Sequence, residues 1–550
     1  MLLGVLGVLT VGCQSTMSAE EAKRVTASFG GAPFVPPPRT INDITAILEL
    51  EKRDDPGGAA EARARVDEPP PATGDAAALA NFYYRRGLAA QRIGRHGQGL
   101  GDLAKAVGYA RSLPRATELE ILSQVSSAEM INGDIPRSVE YARQAIRRVP
   151  PDLRGWLIPL NAAVAARLAL YGDVRAAELA LAEAERVYYE SYNWVEGAEK
   201  PFWMARREAR LANAQGTVAG VRGRLADAEK AFRRTLELIE QHPAIAGASD
   251  SAWLEEQMVV LARTLVIQGR LLEAEHEARR ALLGALRKRG RYSYSTGFVL
   301  AGLVNVLFAQ GRYAEAETLG RAVVEIFEKT GSTPDSGFMA RVRMELAATL
   351  AVQGRWRDAL TEYEAVHAGL AGNPQSYQRF TGSYVGLSGR FWWALALLRN
   401  GEGDRALELA TLARERMARL VGEEHRNTAE FRGLLGMVYA AGGARARALQ
   451  EFAGATPLLL TRAGDVGDES GAGGARDQRV RLVLESYLGL LAEVRGAALA
   501  REAGIAAAAE AFRIAEAARG RAVQRALDAS AARAAPRSPI GTSGSPGPRS

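Results

Sequence analysis

Apolar positions recur every three to four residues along almost the whole chain from about residue 76 to residue 533. This spacing is that of amphipathic helices, and no run of alternating β-branched residues typical of a strand interrupts it for hundreds of positions. Short polar stretches that contain glycine divide the apolar pattern into segments of ordinary helix length. The pattern therefore predicts an all-α body of about ten helix pairs.

A short motif marks the break within each predicted pair: a glycine, a small residue five positions later and often a bulky residue four positions after that. Its clearest copy is Gly223, Ala228 and Phe232, and two more clear copies begin at Gly354 and Gly443. Subtraction of successive glycine numbers gives intervals of 39, 39, 51, 46, 42, 43, 47 and 42. The glycines are Gly94, Gly133, Gly172, Gly223, Gly269, Gly311, Gly354, Gly401 and Gly443.

The motif has a physical explanation as a helix-turn-helix unit. A glycine can end the first helix in the left-handed conformation that side chains resist. The small residue lies where the second helix crosses the first, and several copies carry another small residue seven positions before the glycine, as at Ala165, Gly216 and Gly436. The sequence therefore predicts helical hairpins that stack around one continuous core.

In its motif and interval the chain resembles proteins built of tetratricopeptide repeats, although its intervals are longer than the repeat length of about 34 residues that is common in that family. The resemblance covers roughly residues 80 to 530. It implies a tetratricopeptide-type helical-repeat solenoid, a right-handed superhelix with a concave groove. It also implies a protein–protein interaction scaffold that binds a peptide or protein partner in this groove and is not an enzyme.

The segment 1–13 predicts a signal. Leu2 to Gly12 form an apolar run that is too short to span a bilayer but sufficient for the apolar part of a secretory signal. The run ends at Cys13 and resembles the lipobox of bacterial lipoproteins, which implies a lipid on Cys13 and a membrane anchor. Because Gln14 is not the aspartate associated with inner-membrane retention, the resemblance implies the outer membrane, facing the periplasm. An ordinary cleaved signal, or a chance apolar start in a cytoplasmic protein, is the alternative.

Composition separates the array from its flanking segments. Residues 14–75, rich in Pro and Ala, are predicted to be a tether with one short helix from Ile41 to Lys52. The repeat array itself is predicted over residues 76–533. Residues 534–550, dominated by Ser, Pro and Gly, are predicted to be a disordered tail.

Two stretches suggest a narrower resemblance, one from Thr40 to Leu48 and one from Ala509 to Leu527. The second resembles the end of the repeat region in bacterial CHAT proteins, in which the array leads into a caspase-like peptidase domain. That domain does not follow in this sequence. The alternative function is therefore the sensor or regulatory part of a truncated or split CHAT peptidase, with a CHAT peptidase domain as partner. One more amphipathic repeat helix explains the second stretch equally well.

Charge and composition narrow the class of partner. The 70 Lys and Arg residues against 63 Asp and Glu give a net charge of only +7 over 550 residues. Lysine is scarce, and the bias toward arginine and alanine is typical of a GC-rich bacterial genome. Arginines lie one helical turn from glutamates, as in Glu183 with Arg186 and Glu275 with Arg279. This spacing favours solvated helix faces over a patch that binds nucleic acid.

The residue types that most enzyme sites need are scarce. Cys13 is the only cysteine, so the folded body has no disulfide, thiolate metal site or thiol nucleophile. The histidines are His96, His242, His276, His367 and His425, and they contain no pair at a helical metal-ligand spacing. The sequence therefore predicts no catalytic residue, cofactor or metal site. Most aromatic residues, including the Phe391-Trp392-Trp393 cluster, are predicted to lie in the core, and no groove residue is identified.

Overall fold

The computed structural model describes residues 37–50, 59–131, 134–194, 197–246, 252–371, 384–460, 474–517 and 519. Helices form every regular element of these residues, which confirms the predicted all-α fold. They are α1 (Asn42–Leu50), α2 (Ala59–Val66), α3 (Ala76–Arg92), α4 (His96–Tyr109), α5 (Arg115–Ile131), α6 (Ile135–Ile146), α7 (Leu157–Tyr171), α8 (Val174–Glu190), α9 (Lys200–Val221), α10 (Leu225–Gln241), α11 (Trp253–Ile267), α12 (Leu271–Arg289), α13 (Tyr294–Ala309), α14 (Tyr313–Thr330), α15 (Gly337–Val352), α16 (Trp356–Ala371), α17 (Tyr384–Arg399), α18 (Gly403–Val421), α19 (Arg426–Ala441), α20 (Arg445–Leu460), α21 (Gly474–Glu493) and α22 (Ala498–Glu502). A further helical segment covers 507–517.

From α3 onward the helices form antiparallel pairs that stack side by side. We call the first helix of each pair, the odd-numbered one from α3 to α21, an A helix and the second a B helix. From α3 to α20 each A helix packs against its own B helix, and each B helix packs against the A helix of the next pair, the last of which is α21. The largest buried apolar cluster runs through these contacts as far as Ile514. The array is therefore a tetratricopeptide-type solenoid with its core between the A and B layers.

At each described A-to-B turn the glycine of the motif has a positive φ. At Gly223 this angle is +75°, and the amide of Arg224 donates to the carbonyl of Ala219 at 2.9 Å. A residue with a side chain would lose roughly 1–2 kcal/mol in this left-handed conformation. The other described members are Gly94, Gly172, Gly269, Gly311, Gly354, Gly401 and Gly443, with φ between +76° and +97°. Gly133 lies outside the described residues.

Small residues let the two helices of a pair approach closely. Ala228 is fully buried where α10 crosses α9. On the A side, a Cβ atom on Gly216 would lie 2.6 Å from the ring of Phe232, and one on Gly436 would lie 2.8 Å from the ring of Phe452. The bulky residue of the motif thus fills the space that the glycine leaves open. The crossing therefore has little room for a larger side chain.

Arginines that follow the turn glycines join successive repeats. Arg270 pairs with Glu229 of the preceding repeat and also with Glu273 of its own. The same inter-repeat contact recurs as Arg312 with Glu275 at 2.9 Å and as Arg355 with Glu317 at 2.7 Å. Because each guanidinium is held by carboxylates from two repeats, these contacts constrain the rotation of one repeat on the next.

Helix α1 lies against the B helices α12 and α14 and is not part of a free tether. Arg279 of α12 is fully buried, pairs with Asp43 of α1 and donates to the carbonyl of Thr40 at 3.0 Å. Ile44 of α1 joins the core and is 2% exposed. A second helix, α2, packs against α3. The short helix predicted from Ile41 to Lys52 is thus present as Asn42–Leu50 and packs on the array, and Ala59–Val66 forms a second helix that the sequence did not predict.

The pair formed by Glu275 and Arg279 is buried and is not part of a solvated helix face. Their side chains are 1% and 0% exposed, and the N–O distance is 2.8 Å. Asp43 and Arg312 add one negative and one positive charge to the pair, so that the buried charges compensate one another. The spacing along α12 predicts the pair itself. It does not show that a helix from far upstream in the chain will cover it.

The superhelix closes one turn where its first repeat meets the loop that follows α14. His96, at the start of α4, is 1% exposed and lies edge-on to Tyr294 of α13, with ring centroids 5.1 Å apart. Next to it, the backbone of Gly94 lies directly against Ser332. We call this contact the seam. It joins residues that are far apart in the chain, so the curvature of the stack decides whether it forms.

Gly216 and Gly220 of α9 offer a matched test of the close crossing. Gly216→Ala places a methyl group 2.6 Å from Phe232 and should lower the free energy of unfolding by about 1–3 kcal/mol. In Gly220→Ala the new atom meets only the Cβ of Ala228 at 3.8 Å, so we expect a gain of up to about 1 kcal/mol from helix propensity. Urea unfolding followed by circular dichroism measures both changes. Equal effects of the two substitutions would contradict a close crossing at Gly216.

The seam should weaken as the pH falls. Burial lowers the pKa of His96 from 6.5 to about 4, although the carboxylate of Asp335 acts in the opposite direction. The folded protein therefore binds this proton less readily than the unfolded chain. The resulting stabilisation is complete above pH 6.5 and is lost between pH 6.5 and 4. Between pH 7 and pH 5 the wild type should lose about 2 kcal/mol more than His96→Phe, as urea unfolding at both pH values would show. A parallel loss in the two proteins would rule out a buried neutral His96.

Candidate ligand groove

The A helices α9, α11, α13 and α15 form the concave face of the superhelix. Arg263 of α11 and Arg341 of α15 lie near enough to repel each other electrostatically, although α13 stands between these helices. Tyr294 of α13 likewise lies near both Glu256 of α11 and Arg341. Side chains that are two repeats apart meet only on the inner side of a curved stack. We call this inner surface the groove.

The groove side chains occupy two fixed positions relative to the turn glycines. The first holds Arg210, Glu256, Phe298 and Arg341, whose numbers are each 13 below that of the glycine in the same repeat (223 − 210, 269 − 256, 311 − 298 and 354 − 341). The second holds Arg263 and Asn305, whose numbers are each 6 below that of their glycine (269 − 263 and 311 − 305). The two positions are about two helical turns apart and so share one face of each A helix. All six side chains are half-buried.

Hydrogen bonds link neighbouring A helices across the groove. The side-chain amide of Asn213 donates to the side chain of Gln257. Asn305 donates to Glu345 at 3.3 Å, and the same carboxylate accepts a hydrogen bond from Arg341 Nε at 3.0 Å. These bonds hold the polar groups in place before a ligand arrives, which reduces the entropy that binding would cost.

Two half-buried arginines of the groove form no ion pair with a carboxylate of the described residues, although the charge of Glu256 attracts Arg210 and that of Glu345 attracts Arg263. Arg210 lies over the ring of Trp253, 3.7 Å from its centroid, and Arg263 forms no ion pair with a described residue. Burial lowers the pKa of Arg210 to about 10 and that of Arg263 to about 9, and the neighbouring Arg206 and Arg341 respectively add to this effect. Both guanidinium groups still carry their charge at neutral pH. The groove therefore presents cations that the protein itself compensates only in part.

An aromatic cluster lies beside these charges. The rings of Tyr294, Phe327 and Phe338 are in mutual contact, with centroids 5.1 to 5.4 Å apart. Phe298 extends the cluster and lies 5.4 Å from Phe338, while the guanidinium of Arg341 lies 5.7 Å from the centroid of Phe338. Apolar surface with adjacent polar groups is the combination from which proteins build anchor points for ligands. Because Tyr294 also contacts His96, the groove and the seam share this ring.

The aromatic cluster of α17 packs between the helix layers. Phe391, Trp392 and Trp393 of α17 are 1%, 2% and 6% exposed, and Trp393 stacks on Tyr363 with centroids 5.3 Å apart. The prediction that this cluster lies in the core is confirmed. These aromatic side chains therefore belong to the core and not to the groove.

The histidines lie apart from one another, and His96 touches the groove through Tyr294. His96 lies in the seam, His242 follows α10, His276 lies 3.6 Å from Glu277, His367 lies beside Trp393, and His425 caps the start of α19. No group of three or more His, Cys, Asp or Glu in the described part of the chain could hold a metal ion. Within the same residues, no helix has the length and apolar character needed to cross a membrane. Cys13 lies outside the described residues.

The sequence also indicates which positions of the A helices lie in the groove. The turn glycines fix the register of each A helix, so the two groove positions that precede them can be read from the sequence. Charged residues occupy those positions in α11, at Glu256 and Arg263. Periodicity alone does not distinguish them, because a solvated face gives the same pattern.

Comparison with known proteins supports the repeat assignment. Residues 299–330, which span most of α13 and all of α14, match the family model for a tetratricopeptide repeat. Among solved structures, the nearly identical repeats of a putative kinesin light chain from Podospora anserina are 21% identical, with a TM-score of 0.31, and the match covers 38% of this chain and 96% of that one. The unliganded form of RapI is 12% identical, with a TM-score of 0.43 and coverage of 74% and 98%. No curated protein sequence matches the chain.

The matched segment is one helix pair of the stack. The same glycine turn is present in the neighbouring pairs, and the same contact between a small residue and a bulky residue recurs at Gly216 and Gly436. The chain therefore contains a tetratricopeptide repeat at residues 299–330, and its described helices stack as a solenoid of the tetratricopeptide type.

Proposed function

We propose that the protein is an interaction scaffold that holds a segment of a peptide or protein partner in the groove. The observation that supports this most strongly is the row of half-buried charged, amide and aromatic side chains at the same two positions of consecutive A helices. A purely structural wall gains nothing from such groups, because partly desolvated polar groups lower stability unless they are paired. A ligand that pairs with them recovers this loss.

The dimensions of the stack set the size of the bound segment. Neighbouring helices pack about 8–10 Å apart, so a chain that crosses α9, α11, α13 and α15 runs for about 30 Å. An extended peptide covers this distance with about nine residues. Asn213 and Asn305 supply amides that can hydrogen-bond to its backbone, and the aromatic cluster supplies an apolar anchor. The groove thus suits a short linear segment better than a folded surface.

A selection of random dodecapeptides displayed on phage, carried out on the full chain, tests this function. Asn305→Tyr adds bulk to the groove and should weaken binding of the selected peptides by about tenfold or more. Thr361→Tyr is the matched control, because Thr361 is exposed on α16 and lies on a B helix; it should leave binding unchanged. An empty selection, or equal binding by the two variants, would contradict binding in the groove.

We further propose that the protein is exported and anchored through a lipid on Cys13, with the array facing the periplasm. The support is the apolar run from Leu2 to Gly12 and its small residue before the cysteine. In a Gram-negative host fed with an alkyne-tagged fatty acid, the wild type should carry the label and sediment with membranes. Cys13→Ser should lose the label and leave the membrane fraction. An unlabelled wild type would favour the cytoplasmic alternative.

A second candidate function is the regulatory part of a caspase-like peptidase of the CHAT type. The resemblance of Ala509 to Leu527 supports it. Within this stretch residues 507–517 are helical, with Ile514 buried and Phe512 69% exposed, so an apolar side chain is available for contact with a further domain. Translation of the neighbouring DNA in all frames distinguishes the two functions. A reading frame for a caspase-like histidine and cysteine would favour the regulatory part, and its absence would favour the independent scaffold.

A further inference from the structure

Arginines on the turns form ion pairs with carboxylates, whereas two arginines in the groove form none with the described residues. Arg270, Arg312 and Arg355 each contact carboxylates of two different residues. Arg210 and Arg263 form no such pair with the described residues, although both are half-buried. The protein therefore satisfies the arginines that join its repeats and leaves the charge of these two groove arginines available.

Glu345 attracts Arg263 electrostatically but forms no ion pair with it. Glu345 accepts hydrogen bonds from Arg341 and Asn305 through the same oxygen, Oε1. Glu256, the carboxylate nearest Arg210, has a raised pKa because it is itself buried. Of the charged side chains named in the described groove, Arg206, Arg210, Arg263 and Arg341 are positive and Glu256 and Glu345 are negative, and the buried Arg289 adds a positive charge near Glu256. A complementary ligand is therefore acidic.

We propose that the groove recognises an acidic peptide segment, in which one carboxylate binds Arg263, a second binds Arg210 and an apolar side chain rests on the aromatic cluster. This inference depends on the proposed function and specifies its ligand. A carboxylate is the group that a planar guanidinium binds with two parallel hydrogen bonds. Within a partly desolvated groove these bonds restore the interactions with water that the arginines lose on burial.

A peptide carboxylate fits the groove better than the phosphates of a nucleic acid. Glu256 and Glu345 line the same wall as the arginines and would repel a backbone that is charged at every residue. In the described groove, α9 supplies Arg206 and Arg210 and α11 supplies Arg263, so the cations form two separate points and not a continuous stripe. A peptide can place its carboxylates at those points and neutral residues between them.

The composition of the peptides selected on the full chain tests the ligand class. Enrichment of Asp and Glu over the starting library is the expected result. A pool without this enrichment would overturn the inference while leaving binding in the groove intact. An empty pool would overturn the proposed function as well, so that the two failures are distinguishable.

Substitution of Arg263 tests the assigned contact. Arg263→Gln removes the charge and should weaken binding of the most enriched peptide by about tenfold to a hundredfold, measured by fluorescence anisotropy. Arg321→Gln on α14 is the matched control, because Arg321 is 51% exposed and pairs with Glu317; it should leave affinity unchanged. A peptide in which Glu is replaced by Gln should bind the wild-type protein as weakly as the original peptide binds Arg263→Gln. The same peptide should bind Arg263→Gln with little further loss of affinity. Full additivity of the two changes would overturn the contact.

The stability of the free protein separates ligand recognition from a structural role. An uncompensated, half-buried cation lowers stability, so Arg263→Gln should have an unchanged or higher melting temperature. A lower melting temperature would show that Arg263 stabilises the fold, and this result would overturn the inference. A single-stranded oligonucleotide can be added at the same concentration as the bound peptide. If it displaces the peptide, the groove recognises phosphate, and this result would also overturn the inference.

Discussion

The close approach of the two helices in each pair is the constraint on which the rest of the array depends. Where Gly216 faces Phe232 and Gly436 faces Phe452, the A helix has no side chain and the B helix supplies a ring in its place. The ring also reaches the next repeat, since Phe452 stacks on Tyr487 of α21 with centroids 5.0 Å apart. One aromatic side chain thus sets both the crossing within a pair and the contact between pairs.

Curvature follows from the repetition of this geometry. The contacts of Arg270, Arg312 and Arg355 with the preceding repeat hold each of these repeats against the last. The stack therefore curves toward its A helices until the first repeat meets the loop after α14 at the seam. The groove is the inner side of this curve. Because Tyr294 contacts His96 on one side and adjoins the groove on the other, a ligand that shifts this ring acts on the seam as well.

Local rules account for much of this structure, and the remainder depends on contacts between distant residues. The glycine motif predicts the helix pairs and the turns, because a left-handed residue such as Gly223 has a local cause. Burial of Phe391, Trp392 and Trp393 was likewise predictable from their size. The position of α1 was not, because Asp43 and Arg279 are far apart in the chain and nothing near either residue indicates the other. The groove residues fall between these cases: their register follows from the turn glycines, but their role depends on which way the stack curves.

Arg279 on the outer side of the array has a carboxylate partner, whereas Arg263 in the groove has none among the described residues. Arg279 is fully buried on the outer side of the array, where α1 supplies the carboxylate of Asp43 and the apolar side chains of Ile44 and Ile47. That segment is short and amphipathic, and it combines an acidic group with an apolar face. Arg263 lies on the inner side with an aromatic cluster nearby and with no such segment among the described residues. The protein thus contains, on its own outer surface, an example of the chemistry that satisfies a buried arginine of this array. A partner that presents an acidic residue next to an apolar one would complete the groove as α1 completes the outer face.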